Sequence, residues 1–359
     1  MERTCNKYAL YIGVKTGNNA GSKAVNDALA VADKLGYQGV RLYTAKKPKT
    51  TVGNVLQGLC KIICFASKVK KGDVVFIQYP VNRFLLKRIY SVLRSRGARI
   101  ITLIHDVDYL RERTHGKDGV EGMKSLEISL LSQSNVVICH NQKMMERLQE
   151  DGLQAELVNL GIFDYLYEGK SAERTADKHT LIVAGNLLKQ KAGYLYRLSG
   201  DKQAFNLSLY GSNLEEGFDY PNATHYGSFS PDELIEKLKG AYGLVWDGDS
   251  LCSCEGSYGA YLKINNPHKV SLYLAAGLPV IVWKQSALYS FVSENGVGFG
   301  VDSLEELDEA LTQNESAYDG YCQCVEQLQF NLKNGAYMQA AIERAETLCG
   351  VCGGEDERV

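Results

Sequence analysis

Short runs of β-branched and aromatic residues alternate with longer segments of helical periodicity through the first half of the chain. The runs predict six strands, which read KYALYIGV, VRLYTA, VVFIQYP, RIITLIHD, NVVICHN and AELVNLG. Apolar positions at helical spacing predict helices between them, over residues 22–35, 52–69, 84–96, 121–132 and 142–150. Strands that alternate with helices are typical of a parallel sheet covered on both faces, so we predict a doubly wound α/β domain.

The same alternation begins again after the polar segment YEGKSAERTADKHT, which we interpret as a linker. Five further strands are predicted at LIVAGNLL, FNLSLYGS, ATHYGSF, GLVWDGD and LPVIVW. A helix is predicted after the third of these, because Ser230 is a good N-cap, Pro231 fits the first helical position and Glu233 completes a capping box. From Asp319 the pattern is helical up to a polar tail.

These patterns predict two Rossmann-like domains. The N-terminal domain is predicted over residues 1–168 and the C-terminal domain over residues 169–335. We expect residues 336–359 to form a C-terminal helix and tail that pack back toward the N-terminal domain.

The composition is that of a globular protein, since 45% of the 359 residues are hydrophobic and suffice for two cores. The N-terminus turns polar too soon for a secretory signal and no long apolar run occurs, so we expect a cytoplasmic protein. The ten cysteines are then expected to be free thiols. The lone C-x-x-C pair, Cys349 and Cys352, lacks the further ligands of a zinc site, and no motif indicates a nucleic-acid partner.

The two halves of the chain carry opposite net charge. Residues 1–168 contain 25 Lys+Arg and 16 Asp+Glu, against 15 and 26 in residues 169–359, which gives +9 and −11. Part of the positive charge lies in FLLKRIYSVLRSRGARI, where cations flank an apolar helical pattern. Two interpretations stay open: a solvated helix face, or a peripheral contact with an anionic membrane surface or polyanionic acceptor.

Ligands of open parallel sheets bind at the carboxyl ends of the strands, so the loops that follow the predicted strands are candidate sites. The loop at residues 15–24 is rich in glycine and precedes a helix, which suits contact with a phosphate or sugar; the alternative is a plain turn. Two loops of the second half are further candidates. In residues 184–191, Gly185 leaves room for close approach, Asn186 offers an amide and Lys189 a point charge; in residues 209–213, Tyr210 offers a ring for stacking and Gly211 leaves room beside it.

A fourth candidate loop opens the stretch NNPHKVSLYLAAGLPVIVW. Asn266 is predicted to cap a helix that Pro267 begins and Gly277 ends. His268 and Lys269 then fall in the first turn, where the helix dipole disfavours cations. A bound anion at this point would make the electrostatic environment of these cations favourable, so we predict a diphosphate site. The alternative is a surface lysine tolerated at small cost.

At these residues the chain resembles GT-B glycosyltransferases. AGNLLK, LYGS, GLVWDGDS, AAGLPVIV and NGVGFGVDSLEEL follow one another as in the nucleotide-sugar domain of that family. More narrowly, YLKINNPHKVSLYLAAGLPVIVW resembles bacterial enzymes that extend sugars on serine-rich adhesins, and their relatives that transfer galactofuranose. TGNNAGSKA and the pair His105–Asp106 also match, so the resemblance covers nearly the whole chain. It implies two Rossmann-like domains that face each other across a cleft.

The resemblance also implies a UDP-sugar donor held mainly by the second domain and an acceptor held mainly by the first. Carried over from the family, the donor residues are Asn186 and Lys189 for the diphosphate, Tyr210 for the uracil, Asn265, Asn266 and Lys269 for phosphates and sugar, and Thr16 and Gly17 to complete the site. Leu272 stands where many GT-B enzymes have a glutamate that holds the ribose. Tyr261 and Asp247 are the alternatives for that role.

Transfer with inversion, which we predict, needs a base for the acceptor hydroxyl and positive groups for the leaving UDP. Asp106 is the first candidate for the base and His105 the second, although an aspartate at a strand end also serves as a cap. Both D-x-D pairs, at residues 106–108 and 247–249, resemble metal sites of another fold. We nevertheless expect metal independence and no cofactor besides the UDP-sugar.

The sequence therefore predicts a hexosyltransferase that moves glucose or galactofuranose from a UDP-sugar to a saccharide acceptor of a glycoprotein, lipid-linked glycan or surface polysaccharide. Two alternatives remain, a UDP-sugar epimerase of the same fold and a non-catalytic glycan-binding partner of a transferase. The donor sugar, the acceptor, the linkage and the choice between monomer and homo-oligomer stay open.

Overall fold

The computed structural model describes residues 5–12, 20–43, 52–111 and 117–351. The chain divides into two compact units. Unit 1 consists of residues 1–17, 25–160 and 337–359, and unit 2 of residues 18–24 and 161–336. The main passage from unit 1 to unit 2 thus follows residue 160, earlier than the predicted boundary at 168.

Unit 1 contains a six-stranded parallel sheet. Its strands are β1 (Lys7–Ile12), β2 (Gln38–Tyr43), β3 (Val74–Tyr79), β4 (Arg99–Ile104), β5 (Val136–Cys139) and β6 (Glu156–Asn159), in the order β2-β1-β3-β4-β5-β6. The connecting helices are α1 (Ala20–Lys34), α2 (Val52–Lys68), α3 (Arg83–Ser95), α4 (Lys117–Leu131) and α5 (Gln142–Glu150). All strands and helices predicted for this half are present. Central strands such as β3 are buried over their whole length and mostly apolar, which gives the sequence a strong pattern.

Unit 2 contains a second six-stranded parallel sheet. Its strands are β8 (Thr180–Ala184), β9 (Asn206–Tyr210), β10 (Ala223–Gly227), β12 (Tyr242–Val245), β13 (Val280–Trp283) and β14 (Gly298–Val301), in the order β10-β9-β8-β12-β13-β14. A separate two-stranded pair joins β7 (Glu173–Arg174) to β11 (Lys239–Gly240). The five strands predicted for this half are confirmed.

The sequence analysis did not list β14 as a strand. Its segment GFGV begins with Gly298, which has φ +149°, and glycine weakens the apolar pattern by which strands are predicted. A Cβ at Gly298 would lie 1.9 Å from the carbonyl oxygen of Val280. The glycine is therefore required because the backbone of β13 approaches so closely.

Seven helices with described bounds belong to unit 2, and one more follows it. They are α6 (Lys189–Ala192), α7 (Pro231–Lys237), α8 (Gly256–Tyr261), α9 (His268–Ala275), α10 (Tyr289–Glu294), α11 (Leu307–Asn314), α12 (Tyr318–Asn334) and α13 (Ala336–Leu348). Short 3-10 helices cover Asp108–Arg111, Gly193–Arg197, Leu304–Glu306 and Glu315–Ala317. The capping box of Ser230 and Glu233 at the start of α7 is confirmed, as is Pro231 at its first position.

The predicted start of α9 was wrong by one residue. Pro267, not Asn266, occupies the N-cap position, and His268 is the first helical residue. The side chain of Asn266 instead donates from Nδ2 to the carbonyl oxygen of Gly161, at 2.8 Å. A partner so distant along the chain leaves no local sign in the sequence. Gly277, with φ +84°, follows the end of the helix as predicted.

The order of the second sheet creates a switch point between β8 and β12. From β8 the chain moves outward through β9 to β10, and it returns on the other side of β8 to build β12, β13 and β14. The loops after β8 and β12 consequently leave the sheet in opposite directions. Such a point opens a crevice at the carboxyl ends of the two strands, where ligands of this class of fold bind.

Two smaller predictions concern the described residues only. The nine cysteines within the described ranges are all free thiols, as predicted. None of the helices in those ranges is long and apolar enough to cross a membrane.

Candidate functional site

A cavity of about 560 Å³ lies at the switch point of unit 2. Five of its lining residues follow β8 and five follow β12: Lys189, Gln190, Gly193, Tyr196 and Arg197, then Gly248, Asp249, Glu255, Gly256 and Tyr258. Sites for small molecules typically enclose about 300–1,000 Å³, so the cavity has the size of a ligand site. Of the predicted donor residues, Lys189 lines it.

The cavity wall combines charges with aromatic rings. The ammonium group of Lys189 lies 5.3 Å from the ring centre of Tyr196. Arg197 and Asp249 approach to 3.3 Å across the two loops. A Cβ at Gly193 would lie 2.7 Å from the Cβ of Asp249, so only glycine allows the loops to come this close. The lining can therefore stack on a ring and hydrogen-bond to hydroxyl or phosphate oxygens.

The loop after β8 is exposed and ordered by its own amides. Gly185 has φ +136°, which glycine adopts without strain. The side-chain oxygen of Asn186 accepts from the Leu188 N–H at 3.2 Å and from Asn213 Nδ2 at 2.9 Å. The Lys189 N–H donates to a carboxylate oxygen of Glu215 at 2.8 Å. These three predicted residues are exposed, and Lys189 lines the cavity.

The prediction that Tyr210 offers a stacking face to the uracil was wrong. Its side chain is only 1% exposed, and its ring stacks on Tyr226 with centres 4.9 Å apart. Its hydroxyl donates to the Lys237 carbonyl at 2.8 Å and accepts from the Lys239 N–H at 3.0 Å. Tyr210 is a core residue because strand alternation turns this side chain inward, a direction that the sequence analysis did not assign.

Position 211 requires glycine for a structural reason. It has φ +152°, and a Cβ there would lie 1.7 Å from the carbonyl oxygen of Gly185. The loops after β8 and β9 thus touch through two glycines. Room for a ligand, which the sequence analysis assigned to Gly211, is in this structure room for the neighbouring loop.

Lys269 is paired with Asp247. The two side chains, 14% and 10% exposed, approach to 2.8 Å between Nζ and Oδ1, and Nζ also donates to the Trp246 carbonyl at 3.3 Å. The cation in the first turn of α9 is therefore already matched by a carboxylate. A diphosphate is not needed to explain its position, contrary to the sequence argument, which missed this partner across 22 residues of chain.

His268 is not a cation in this structure, which corrects its predicted role in neutralising phosphate. Its ring stacks on Tyr165 at 5.1 Å and meets Phe163 edge-on at 6.1 Å. Burial lowers the pKa of His268 to about 4, an effect that the backbone of Asp164 partly opposes. The imidazole is consequently neutral at pH 7.

An unsatisfied polar atom lies at the start of α9. The side-chain oxygen of Asn265 is buried without a hydrogen-bond partner within the described ranges, whereas the ring of His268 interacts with the backbone of Asp164. Buried polar atoms are nearly always paired, so the Asn265 oxygen indicates a bound molecule or water. Tyr261 is buried, and its carbonyl accepts from the Asn265 N–H at 2.9 Å. Thr16 and Gly17 lie outside the described residues.

In unit 1, His105 follows β4 and is held by Gln78. His105 Nε2 and Gln78 Oε1 are 2.5 Å apart, and Gln78 Nε2 donates to the Val25 carbonyl at 3.2 Å. Because a carbonyl only accepts, the amide nitrogen of Gln78 must face Val25 and its oxygen must face the imidazole. In the neutral ring the proton is then on Nε2, and Nδ1 is the nitrogen that accepts protons.

Asp106, the first candidate for the base, is paired with Arg111 at 2.7 Å. The second aspartate of this D-x-D pair, Asp108, is paired with Arg83 at 2.5 Å. In the other D-x-D pair both carboxylates also face cations. No group of three or more potential metal ligands occurs within the described ranges.

The sequence analysis missed Glu127, which supports the loop after β4. Its buried carboxylate accepts from the Tyr109 N–H at 2.9 Å and from the hydroxyl of Tyr79, and lies 3.6 Å from Arg83. Burial, with the nearby Glu127 carboxylate, raises the pKa of Tyr79. Glu127 falls within the periodic pattern of α4, so only its complete burial distinguishes it from a surface glutamate.

Comparisons with known proteins agree on one family. The models described as "Glucosyltransferase 3-like, N-terminal domain" and "Glucosyltransferase 3-like, C-terminal domain" match residues 9–162 and 181–345. Beta-1,6-galactofuranosyltransferase WbbI of Escherichia coli K12 is 30% identical over 332 residues, 90% of this chain and 94% of that protein. Glucosyltransferase 3 of Streptococcus gordonii is 28% identical over 334 residues, 91% of this chain and 94% of that protein.

Solved structures agree on the fold. Sucrose-phosphate synthase of Thermosynechococcus elongatus superposes with a TM-score of 0.64 at 11% identity, over 97% of this chain and all of that one (100%). WaaG, a glycosyltransferase of lipopolysaccharide biosynthesis, superposes with a TM-score of 0.54 at 12% identity, over 96% of this chain and 100% of that one. The predicted GT-B fold, with two Rossmann-like domains, and the predicted resemblance are confirmed. The chain belongs to the glucosyltransferase 3-like family of GT-B glycosyltransferases.

Proposed function

We propose that this glycosyltransferase moves a hexosyl group, glucose or galactofuranose, from a UDP-sugar to a saccharide acceptor. The observation that carries the proposal is the cavity of about 560 Å³ at the switch point of unit 2. It lies where open parallel sheets bind nucleotides. The relatives' names support the choice of sugar, since one is a galactofuranosyltransferase and another a glucosyltransferase.

In this proposal unit 2 binds the donor through the loops that meet at the cavity. Lys189 is exposed at its edge and supplies positive charge for the diphosphate. Asn265 provides a buried side-chain oxygen that has no other partner among the described residues, and His268 lies three residues further on, at the start of α9. A neutral imidazole that both donates and accepts suits sugar hydroxyls better than phosphate.

Unit 1 supplies the base. The imidazole of His105, with its proton placed on Nε2 by Gln78, accepts the proton of the acceptor hydroxyl at Nδ1. The hydroxyl oxygen then forms its bond to the anomeric carbon, while the bond from that carbon to the phosphate oxygen breaks and UDP leaves. The configuration inverts. Asp106 ranks second because Arg111 already occupies its carboxylate.

We further propose that the reaction needs no divalent metal. All four aspartates of the D-x-D pairs are within ion-pair distance of a lysine or arginine, which supports this proposal. Full activity in EDTA is expected. Loss of activity that Mg²⁺ or Mn²⁺ restores would contradict it.

The test of the proposed function is a screen of nucleotide sugars. We expect UDP and one UDP-sugar to raise the melting temperature more than the GDP and ADP counterparts, and slow hydrolysis of that UDP-sugar without acceptor. Lys189→Ala should weaken UDP binding, whereas Lys202→Ala, at an exposed site away from the cavity lining, should not. Preference for GDP or ADP would contradict the donor assignment, and formation of an epimer without acceptor would favour an isomerase.

The acceptor saccharide is proposed to be carried by a glycoprotein or a lipid-linked glycan. A lipid-linked acceptor would require unit 1 to work next to a membrane. The net charge of +9 over residues 1–168 supports a lipid-linked acceptor, because a positive surface is attracted to an anionic membrane.

A further inference from the structure

Residues 60–111 of unit 1 have an unusually one-sided charge. They contain eleven Lys+Arg and three Asp+Glu, a net charge of +8. The three acids are all aspartates, and each is engaged: Asp73 is buried and accepts from the backbone of Asn6 and Lys70, Asp106 pairs with Arg111, and Asp108 pairs with Arg83. Of the nine remaining cations, seven are exposed, and no acidic residue of the same stretch is left to balance them.

The α3 helix concentrates these cations on one face. Its inner face buries Leu86, Ile89, Tyr90 and Leu93. Its outer face, with the residues that follow, exposes Lys87, Arg88, Arg94 and Arg96, and no carboxylate of the described ranges lies within ion-pair distance of these four. Phe84 stands on the same face, 54% exposed, with the Arg88 guanidinium 5.3 Å from its ring centre.

The neighbouring helices continue this face with apolar side chains. Right-handed crossovers place α2, α3 and α4 in one layer, since the chain moves in the same direction along the sheet after β2, β3 and β4. Ile63 of α2 is 65% exposed and Leu126 of α4 is 41% exposed. With Phe84 they are three of the six large apolar side chains that the described residues expose.

We infer that this outer layer of unit 1, α2 to α4, docks on an anionic membrane surface. The cations of α3 then lie at the phosphate groups of the lipids, and the apolar side chains enter the boundary between headgroups and acyl chains. The inference deepens the proposed function, on which it rests for its purpose, because a lipid-linked glycan is an acceptor located at such a surface.

Charge and side-chain type favour lipid over the other occupants of such a face. A second copy of the chain that bound through this same face would bring two strongly positive surfaces together, which repel. Nucleic acid would satisfy the charge but would leave Ile63 and Leu126 against a polar backbone. A membrane rich in acidic lipid satisfies both, because cations and exposed apolar groups bind it together.

The experiment is sedimentation of the full chain with vesicles of phosphatidylcholine, with and without phosphatidylglycerol. We expect binding only to the anionic vesicles, weakened by salt. Each cation near such a surface contributes about fivefold to binding, so Lys87→Glu with Arg94→Glu should lower the partition coefficient at least about 25-fold. Phe84→Ser should lower it without changing the salt dependence.

Matched substitutions in unit 2 serve as controls. Lys202→Glu with Lys237→Glu makes the same change of charge at exposed sites, and Phe330→Ser removes an apolar side chain that is 72% exposed. Both variants should bind vesicles like the unaltered chain. Equal loss in these controls, equal binding to both vesicles, or binding to heparin or DNA without binding to anionic vesicles would overturn the inference.

The tests of membrane docking and of glycosyl transfer can be told apart. The α3 variants should keep the UDP-induced rise in melting temperature and the transfer to a water-soluble saccharide. If the unaltered chain binds vesicles but no UDP-sugar supports hydrolysis or transfer, the proposed function fails while the docking surface stands.

Discussion

At the scale of single residues, Gln78 and Arg111 distinguish the two candidates for the base. Gln78 orients the imidazole of His105, while Arg111 neutralises Asp106. His105→Asn should lower kcat at least about 100-fold with UDP affinity unchanged, because it removes the proton acceptor. Asp106→Asn should lower kcat less than about tenfold. Transfer assays with saturating donor would rank the two, and the opposite order would restore Asp106 as the base.

Gln78 has a prediction of its own. Gln78→Leu keeps the approximate volume but removes the acceptor that places the proton on Nε2, so the imidazole can adopt the other tautomer. We expect kcat to fall about tenfold or more, with KM for the donor unchanged. Gln78→Glu, which retains an acceptor oxygen facing His105, should recover part of that loss. Identical losses in both variants would indicate that Gln78 acts only in packing.

The pair of Asp247 and Lys269 allows a sharper test. Lys269→Met leaves a nearly buried carboxylate without its cation and should lower the free energy of unfolding by about 3 kcal/mol. Asp247→Asn frees Lys269 for phosphate, so UDP should bind about tenfold more tightly. Urea unfolding and UDP titration measure the two effects. The double variant should recover most of the stability lost in Lys269→Met, and weaker UDP binding by Asp247→Asn would show that Asp247 itself contacts the donor.

His268 makes the stability of unit 2 depend on pH. Its pKa is lowered from 6.5 to about 4 by burial, so the unfolded chain binds more protons than the folded one between these values. Above pH 6.5 the imidazole is neutral in both states, and the free energy of unfolding does not depend on it. As the pH falls from 6.5 toward 4, the free energy of unfolding decreases by about 1.4 kcal/mol per pH unit. Urea unfolding at pH 7 and pH 5 should show this dependence, and His268→Phe should flatten it. His225→Phe, at an exposed site, should not.

At the scale of elements, the contact between two loops depends on Gly211. Its Cβ would collide with the Gly185 carbonyl, so Gly211→Ala must displace the loop after β8 and should weaken UDP binding at least about tenfold. Gly217→Ala is the matched control, because Gly217 also has positive φ but no atom within 4 Å of its Cβ position. It should cost about 1 kcal/mol in stability and leave UDP binding unchanged. Equal UDP affinity in the two variants would contradict this role.

Helices and strands could be predicted where their buried positions give the sequence a strong periodic pattern. The eleven elements of the first half and the capping box of α7 are examples. The strand β14 was not predicted, because Gly298 serves the close approach of β13 and the two glycines of β14 add no apolar signal. Asn266 looked like a cap because its true partner, Gly161, lies in a distant segment.

The candidate site was likewise predictable only where the information is local or follows from the topology. The loops at strand ends could be predicted, since topology alone brings them together. The state of each side chain could not, because it depends on partners far along the chain, such as Asp247 for Lys269 and the ring of Tyr165 for His268. The sequence analysis therefore identified loops at strand ends, of which the one after β8 brings Lys189 to the cavity, and it misjudged which cations were available in them.

At the scale of the whole molecule, the end of the chain belongs to the first unit. Lys7 of β1 pairs with Glu346 of α13 at 2.7 Å, and Arg99 donates to the Gly350 carbonyl at 2.5 Å. Ending the chain at residue 336 should therefore destabilise unit 1, because it exposes the surface that α13 covers. Hydrogen exchange should show faster exchange in β1 and β4, with unit 2 unchanged. Faster exchange confined to unit 2 would contradict the division.

The free thiols give the protein built-in reporters of its own surroundings. Cys60 and Cys64 are exposed on α2, whereas Cys252 is exposed in unit 2, where a hydrogen bond to Glu305 raises its pKa. A maleimide reagent reacts with thiols in proportion to their access and ionisation. Lipid that covers the outer layer of unit 1 would shield the first two and spare the third. Docking could therefore be followed by mass spectrometry on the unaltered chain, with one cysteine as the internal standard for the others.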